Sequence, residues 1–306
     1  MKKYLASIIT IIILSGLYFY MNPNPQKVIE NHLKNKYKEE FIVEVLGKRD
    51  KKYEAIIYPK KYVGTSREND SYYWGKGFAK GRKGGDTYGL VLLNESTNEF
   101  FLPKLKELFG ENVLPALDMG PSYVKNNFKE EMEALKKAYK LYPTASFEPI
   151  SGGIYIFGRV ESDEDREWYR KQIYEFVQFM KETGTFEYVD IEFIISDDRI
   201  FSDEFYTNEK LQSEMKEYGN YIDSKGRKNI LNKVNKSYEI TNKNRVLERI
   251  NNLNKSNIDS EFYGIYWLVT KIYSPKYIES KGWKDEKIKQ YNKVSDIEFS
   301  VEGYNE

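Results

Sequence analysis

The stretch GGIYIFGRVESDEDREWYRKQIYEFVQFMKETGTFEYVDIEFIIS, residues 152–196, decides the fold. Ile154, Ile156 and Val160 fall on one face of an extended segment, and Tyr169, Ile173, Phe176, Val177 and Met180 then recur at helical spacing. FEYVDIEFIIS returns to extended alternation. A strand, an amphipathic helix and a second strand in that order form a β-α-β unit. Ser162 with Asp165 three residues later has capping-box spacing. The acids Asp163, Glu164 and Asp165 are therefore read as a helix start, and not as an acid/base or calcium site.

On the N-terminal side, NPNP at 22–25 supplies a cap and a first-turn proline, predicting a helix from Pro25 to about Glu40 with the stripe Ile29, Leu33, Tyr37. FIVEVLGKRDKKYEAIIYP, residues 41–59, alternates on both sides of GKRDK and reads as a hairpin. Residues 71–94 have strand-like ends around a glycine-rich middle, and NEFFLPKLKELFG and YVKNNFKEEMEALKKAYKLY read as helices. After Thr207 the chain becomes mostly helical, interrupted by EFYGIYWLVTKIY and ending in SDIEFSVEG, where Ile297, Phe299 and Val301 alternate as an edge strand. The expected class is α+β. Its parts are an N-terminal membrane helix over 1–21, an α+β body over 22–206 that divides into 26–120 and 121–206, and a mostly helical region over 207–306.

The membrane helix is expected because residues 4–21 carry no charge and follow Lys2 and Lys3. Eighteen helical residues cover about 27 Å, close to the hydrocarbon thickness of a bilayer. Tyr18, Phe19, Tyr20 and Met21 are too bulky for the small-residue cleavage site of a signal peptide. Leu14-Ser15-Gly16 resembles the start of a lipobox, but position 17 is leucine, not the cysteine that carries lipid. A retained signal anchor is preferred over a cleaved one, with Lys2 and Lys3 cytoplasmic and the bulk of the chain outside a bacterial cell.

The 306 residues include no cysteine and one histidine. That removes thiol catalysis, cysteine-type zinc sites and iron–sulfur ligation. A net charge of +1 with interleaved signs gives no global attraction to nucleic acid. With 40% hydrophobic and 31% charged residues the body has material for a folded core. The 27 tyrosines could suggest a binding surface, but an AT-rich genome gives the same bias and is the preferred reading.

Lys76, Lys80, Arg82 and Lys83 sit among Gly75, Gly77, Gly81, Gly84, Gly85 and Gly89, where backbone amides and cations could hold a phosphate or an anionic polymer. The spacing matches no nucleotide-binding motif, so a flexible basic loop is the preferred reading. His32 lies beside Ile29 and Lys36 without a catalytic motif and reads as a boundary residue. Asp190 and Glu192 share a strand face opposite Val189, Ile191 and Phe193, which assigns the two acids to solvent. Asp197-Asp198-Arg199 reads as a polar strand exit. No catalytic residue, metal site or cofactor is assigned. The expectation is a membrane-anchored envelope protein acting as a non-catalytic interaction module for a protein or envelope polymer. A carboxylate-dependent envelope hydrolase and an immunity-type partner of a secreted toxin are the alternatives.

Overall fold

The computed structural model describes residues 23–120, 126–141, 150–219, 229, 243–262, 266–283 and 289–301. The apolar run at 4–21 lies outside them. Among the described residues no helix is long and apolar enough to cross a membrane. The chain is α+β and divides into two compact units, Met1–Val91 and Leu92–Glu306.

In the first unit, helix α1 (Pro25–Tyr37) starts where the cap predicts, with Asn24 accepting from the Gln26 and Lys27 amides. It stops short of Glu40 because Lys38 adopts φ 60° and donates its N–H back to the Lys34 carbonyl. Strands β1 (Phe41–Arg49), β2 (Lys52–Pro59), β3 (Gly75–Lys80) and β4 (Lys83–Asp86) follow in an antiparallel sheet of order β1-β2-β3-β4. Residues 71–94 thus invert the expectation, since the glycine-rich middle forms the β3–β4 hairpin. The apolar end, read as strand, opens helix α2 (Tyr88–Phe109), whose first amide, that of Tyr88, donates to Asp86 at 3.0 Å. Short apolar runs do not separate strand from helix by pattern, and the acid before the run settles it.

The glycines make room for α1. A Cβ on Gly77 would come within 2.8 Å of the Ile29 side chain, and one on Gly84 within 2.5 Å of the His32 Cβ, so the helix backbone lies almost on the strands. Asp86 locks this contact. Its side chain is 1% exposed and accepts from His32 Nε2 at 2.6 Å, Lys36 Nζ at 2.9 Å, Tyr37 Oη at 2.6 Å and the Tyr88 amide. Facing an ionised carboxylate, His32 Nε2 is the donor. The lone histidine is therefore bound into the fold.

In the second unit, β5 (Val113–Met119), α3 (Phe128–Leu141), β6 (Ile150–Phe157), α4 (Asp163–Glu182) and β7 (Val189–Ser196) precede the short helices α5 (Asp203–Thr207), α6 (Glu209–Gly219), α7 (Lys243–Asn251) and α8 (Ile258–Phe262). Strand β8 (Tyr266–Tyr273), helix α9 (Pro275–Ser280) and β9 (Ser300–Val301) complete it. The sheet order is β5-β6-β7-β8-β9, with β6 and β7 parallel and the other pairs antiparallel. The β-α-β unit is present as read: Tyr169, Ile173, Phe176, Val177 and Met180 of α4 are all buried, and the Ser162–Asp165 capping box forms. Val246, Ile250, Ile258 and Phe262 join the same core, so the stretch after Thr207 packs with the sheet through these helices and β8.

Edge strand β5 is covered by side chains. Asn98 of α2 bonds both the N–H and the C=O of Leu117, Asn94 accepts from the Met119 amide, and Lys255 donates to the Pro115 carbonyl. Those amides take the place of a further strand and block edge pairing.

Burial by itself would raise the Asp86 carboxyl. The Tyr37 hydroxyl, the Lys36 ammonium and the His32 ring outweigh it and hold the group below its ordinary value of 3.8. A depressed carboxyl stabilises fully above its ordinary value and loses that contribution as pH falls through the depressed one. Asp86→Asn should therefore cost about 3 kcal/mol at pH 7, with the gap to wild type closing as pH falls below 3.8. Chemical denaturation across pH checks this, and a gap that widens in acid would contradict it.

Candidate functional site

Strand register, followed residue by residue, gathers the basic side chains. Arg49 pairs with Lys52 across the β1–β2 turn, and Lys80 pairs with Lys83 across the β3–β4 turn. Tyr53 pairs with Ala79, so the next position sets Lys52 beside Lys80. Arg49, Lys52, Lys80 and Lys83 then form one rung across all four strands. At about 4.8 Å per strand the rung is roughly 14 Å long.

All four point to the same side. Alternation places them with Glu54, Ile56 and Phe78, on the face away from α1, while Ala55, Ile57, Gly77 and Gly84 turn toward the helix. The Lys52 ammonium lies 3.6 Å from the Phe78 ring centroid, a cation–π contact that keeps it over the sheet. Arg49 approaches Asp50 at 4.0 Å with both side chains in solvent. Among the described residues no carboxylate comes within that distance of Lys52, Lys80 or Lys83.

Both turns are tight. Asp50 and Lys51 adopt φ 49° and 66°, and Gly81 adopts φ 59°, so two-residue connections close each hairpin on a pair of like charges. Like charges directly opposite one another destabilise a sheet. Lys51 and Arg82, at the tips, are exposed. Lys48 leans on the Tyr53 ring at 5.4 Å.

Of the four cations singled out in the sequence, Lys80 and Lys83 lie in the rung and Arg82 in its turn. Lys76 is on the same face, four residues up the strand from Lys80 and about 13 Å away. The expected flexible loop is a hairpin, in which Gly77 and Gly84 admit α1 and Gly81 forms the turn. Sequence reading missed Arg49 and Lys52, which join only when β2 pairs with β3. The GKRDK turn carried the signal, as a second basic tip of equal kind.

The acidic candidates do not converge. Asp197 is buried and held by the Arg199 guanidinium, with Nε at 2.8 and 3.0 Å, while Arg199 Nη1 reaches Glu161 at 3.1 Å. Asp198 faces Arg159 at 2.9 Å, and burial pushes its carboxyl up against that cation. Asp165 accepts from the Glu161 and Ser162 amides, both at 2.9 Å, which hold it low. Asp190 and Glu192 are half-buried and not turned fully to solvent, because β6 and β8 flank them. Asp190 accepts from the Tyr277 hydroxyl, and burial with that bond pushes the Tyr277 phenol up to about 12. Seven positions separate Asp190 from Asp197, about 23 Å along an extended chain. Among the described residues no group of three His, Cys, Asp or Glu side chains could hold a metal ion.

No protein-family model, curated protein or solved structure matches the chain.

Because the rung opposes like charges, removing it should relieve the sheet. Arg49→Ser and Lys83→Ser are each expected to raise stability by about 0.2–1 kcal/mol at low ionic strength, the gain shrinking as salt screens the repulsion. Melting at two salt concentrations checks this; a loss of stability would mean that the cations hold the hairpins together.

Proposed function

We propose that this chain is a non-catalytic interaction module of a bacterial envelope, anchored by residues 4–21 with its folded body outside the cytoplasm. The observation that carries the reading is the division of labour among ionisable groups. Asp86, His32, Asp197 and Arg199 are consumed in holding the fold, whereas Arg49, Lys52, Lys80 and Lys83 form a rung of like charge on the sheet surface. A row of like charges set on one sheet surface suits an anionic partner. Support for the anchor is the length, lack of charge and flanking lysines of the N-terminal run.

A carboxylate-dependent hydrolase is favoured by one rung of the second sheet. Asp118, Ser151, Asp190 and Tyr273 are consecutive partners across β5, β6, β7 and β8, which sets Asp118 and Asp190 two strand spacings, or about 10 Å, apart. That is near the upper separation of an inverting acid pair. Burial pushes the Asp118 carboxyl up, against Lys255 and Asn94. Tyr273, Tyr277 and Trp283 pack beside Asp190, with the two tyrosine rings stacked at 5.9 Å.

The full chain, expressed with its N-terminus intact, should float with vesicles and resist high-salt and carbonate washing. Recovery in the wash, or a mature N-terminus near Leu17, would contradict the anchor. Release of soluble fragments from cell-wall glycan that disappears in both Asp118→Asn and Asp190→Asn would favour the hydrolase instead.

A further inference from the structure

Helix α1 fixes which end of the first sheet the chain reaches at Pro25. Tyr37, at its C-terminal end, packs on Phe41 with ring centroids 5.6 Å apart, and Phe41 pairs with Pro59 at the far end of β1 and β2. Lys36, the residue before Tyr37, and His32, somewhat more than one turn back, reach Asp86, the partner of Gly77. Further back, the Val28 carbonyl lies over Gly84, the partner of Ala79, one position from the Lys80–Lys83 rung. Pro25 is three residues beyond Val28, about 4.5 Å further along the helix axis. The first turn of α1 therefore lies at the end where both hairpins close.

That end is basic. Besides the rung it carries Lys48, Lys51 and Arg82 at the turns and Lys27, which is exposed, in the first turn of α1. Asp50 is the only acid in the two turns, and α1 has none in its first turn. Leu46, 68% exposed beside the irregularity between Val45 and Gly47, adds an apolar side chain nearby. Three residues, 22–24, separate the apolar run from Pro25 and span at most about 11 Å. A chain anchored by 4–21 must hold this end within reach of the bilayer surface.

We infer that the basic end of the first sheet docks on anionic phospholipid headgroups of the same bilayer that anchors the chain, making a second, electrostatic attachment that orients the body. The inference rests on the anchor proposed above. Exposed cations near an anionic leaflet each contribute about fivefold to the contact equilibrium, so Arg49, Lys80 and Lys83, the exposed members of the rung, together give about a hundredfold, with the half-buried Lys52 adding to it. The flat array suits a surface of headgroups, since the rung is a row along a sheet end and not a cradle around one phosphate.

The chain's lack of cysteine makes a single label straightforward. The full chain carrying Leu46→Cys with a donor dye is reconstituted into vesicles bearing an acceptor on the headgroups, either neutral phosphatidylcholine or the same lipid with about one third phosphatidylglycerol. Energy transfer should be higher in the anionic vesicles, fall toward the neutral value in 0.5 M salt, and stay low at all salt concentrations for R49S/K52S/K80S/K83S. The charge-retaining variant K52R/K80R/K83R should behave as wild type. Melting curves show whether each variant folds. Equal transfer in neutral and anionic vesicles overturns the inference, as does unchanged transfer in the four-fold serine variant. Displacement of the label by soluble polyphosphate, with no dependence on lipid charge, likewise overturns it in favour of a soluble polymer. Flotation of the same samples separates the two claims: failure to float with neutral vesicles defeats the anchor alone, while salt-sensitive flotation with anionic vesicles only would still support headgroup docking.

Discussion

The contact between α1 and the glycine-bearing strands is the constraint from which the rest of the first unit follows. Gly77 and Gly84 let Ile29 and His32 approach the strands closely, and Asp86 secures that approach with three side chains of α1 and the first amide of α2. One buried carboxylate thus joins two helices and a strand. Because four donors hold it, it stays ionised despite burial, and it fixes the direction as well as the position of α1. With that direction fixed, the start of the helix can only lie at the basic end of the sheet.

The second unit rests on other means. Its core is apolar and aromatic, with Phe101, Phe128, Phe176 and Phe193 all buried, and a buried charge pair, Asp197 with Arg199, sits where β7 ends. Asn94 and Asn98 close β5 against further pairing. These features give stability and a protected edge. The Asp118, Ser151, Asp190 and Tyr273 rung sets two carboxyls on one face of this sheet, so it sustains the alternative reading.

Legibility differed by the range of the interaction. The β-α-β unit was readable because each element declares itself within its own window: Ile173 and Phe176 are core by helical spacing, and Ser162 with Asp165 is a cap by local spacing. The hairpin around GKRDK was readable for the same reason. The glycine-rich stretch was not, because glycine has two opposite uses, freedom in a loop and close approach in a strand, and only the position of α1 decides between them. His32 looked idle since its partner, Asp86, is 54 residues away. The site was half visible: Lys80, Arg82 and Lys83 are neighbours in sequence, while Arg49 and Lys52 enter through the pairing of β2 with β3, which no local pattern encodes.

Helix α1 begins at the basic end of the sheet. Pulsed electron spin resonance on doubly labelled full chains tests it directly, using Gln26→Cys with Arg82→Cys and Gln26→Cys with Lys60→Cys. Lys60 lies beside Glu40 at the opposite end of the sheet, and α1 itself is about 20 Å long. The 26–82 distance is expected to be clearly shorter than the 26–60 distance. The reverse order would place the start of α1 away from the cations and contradict that placement.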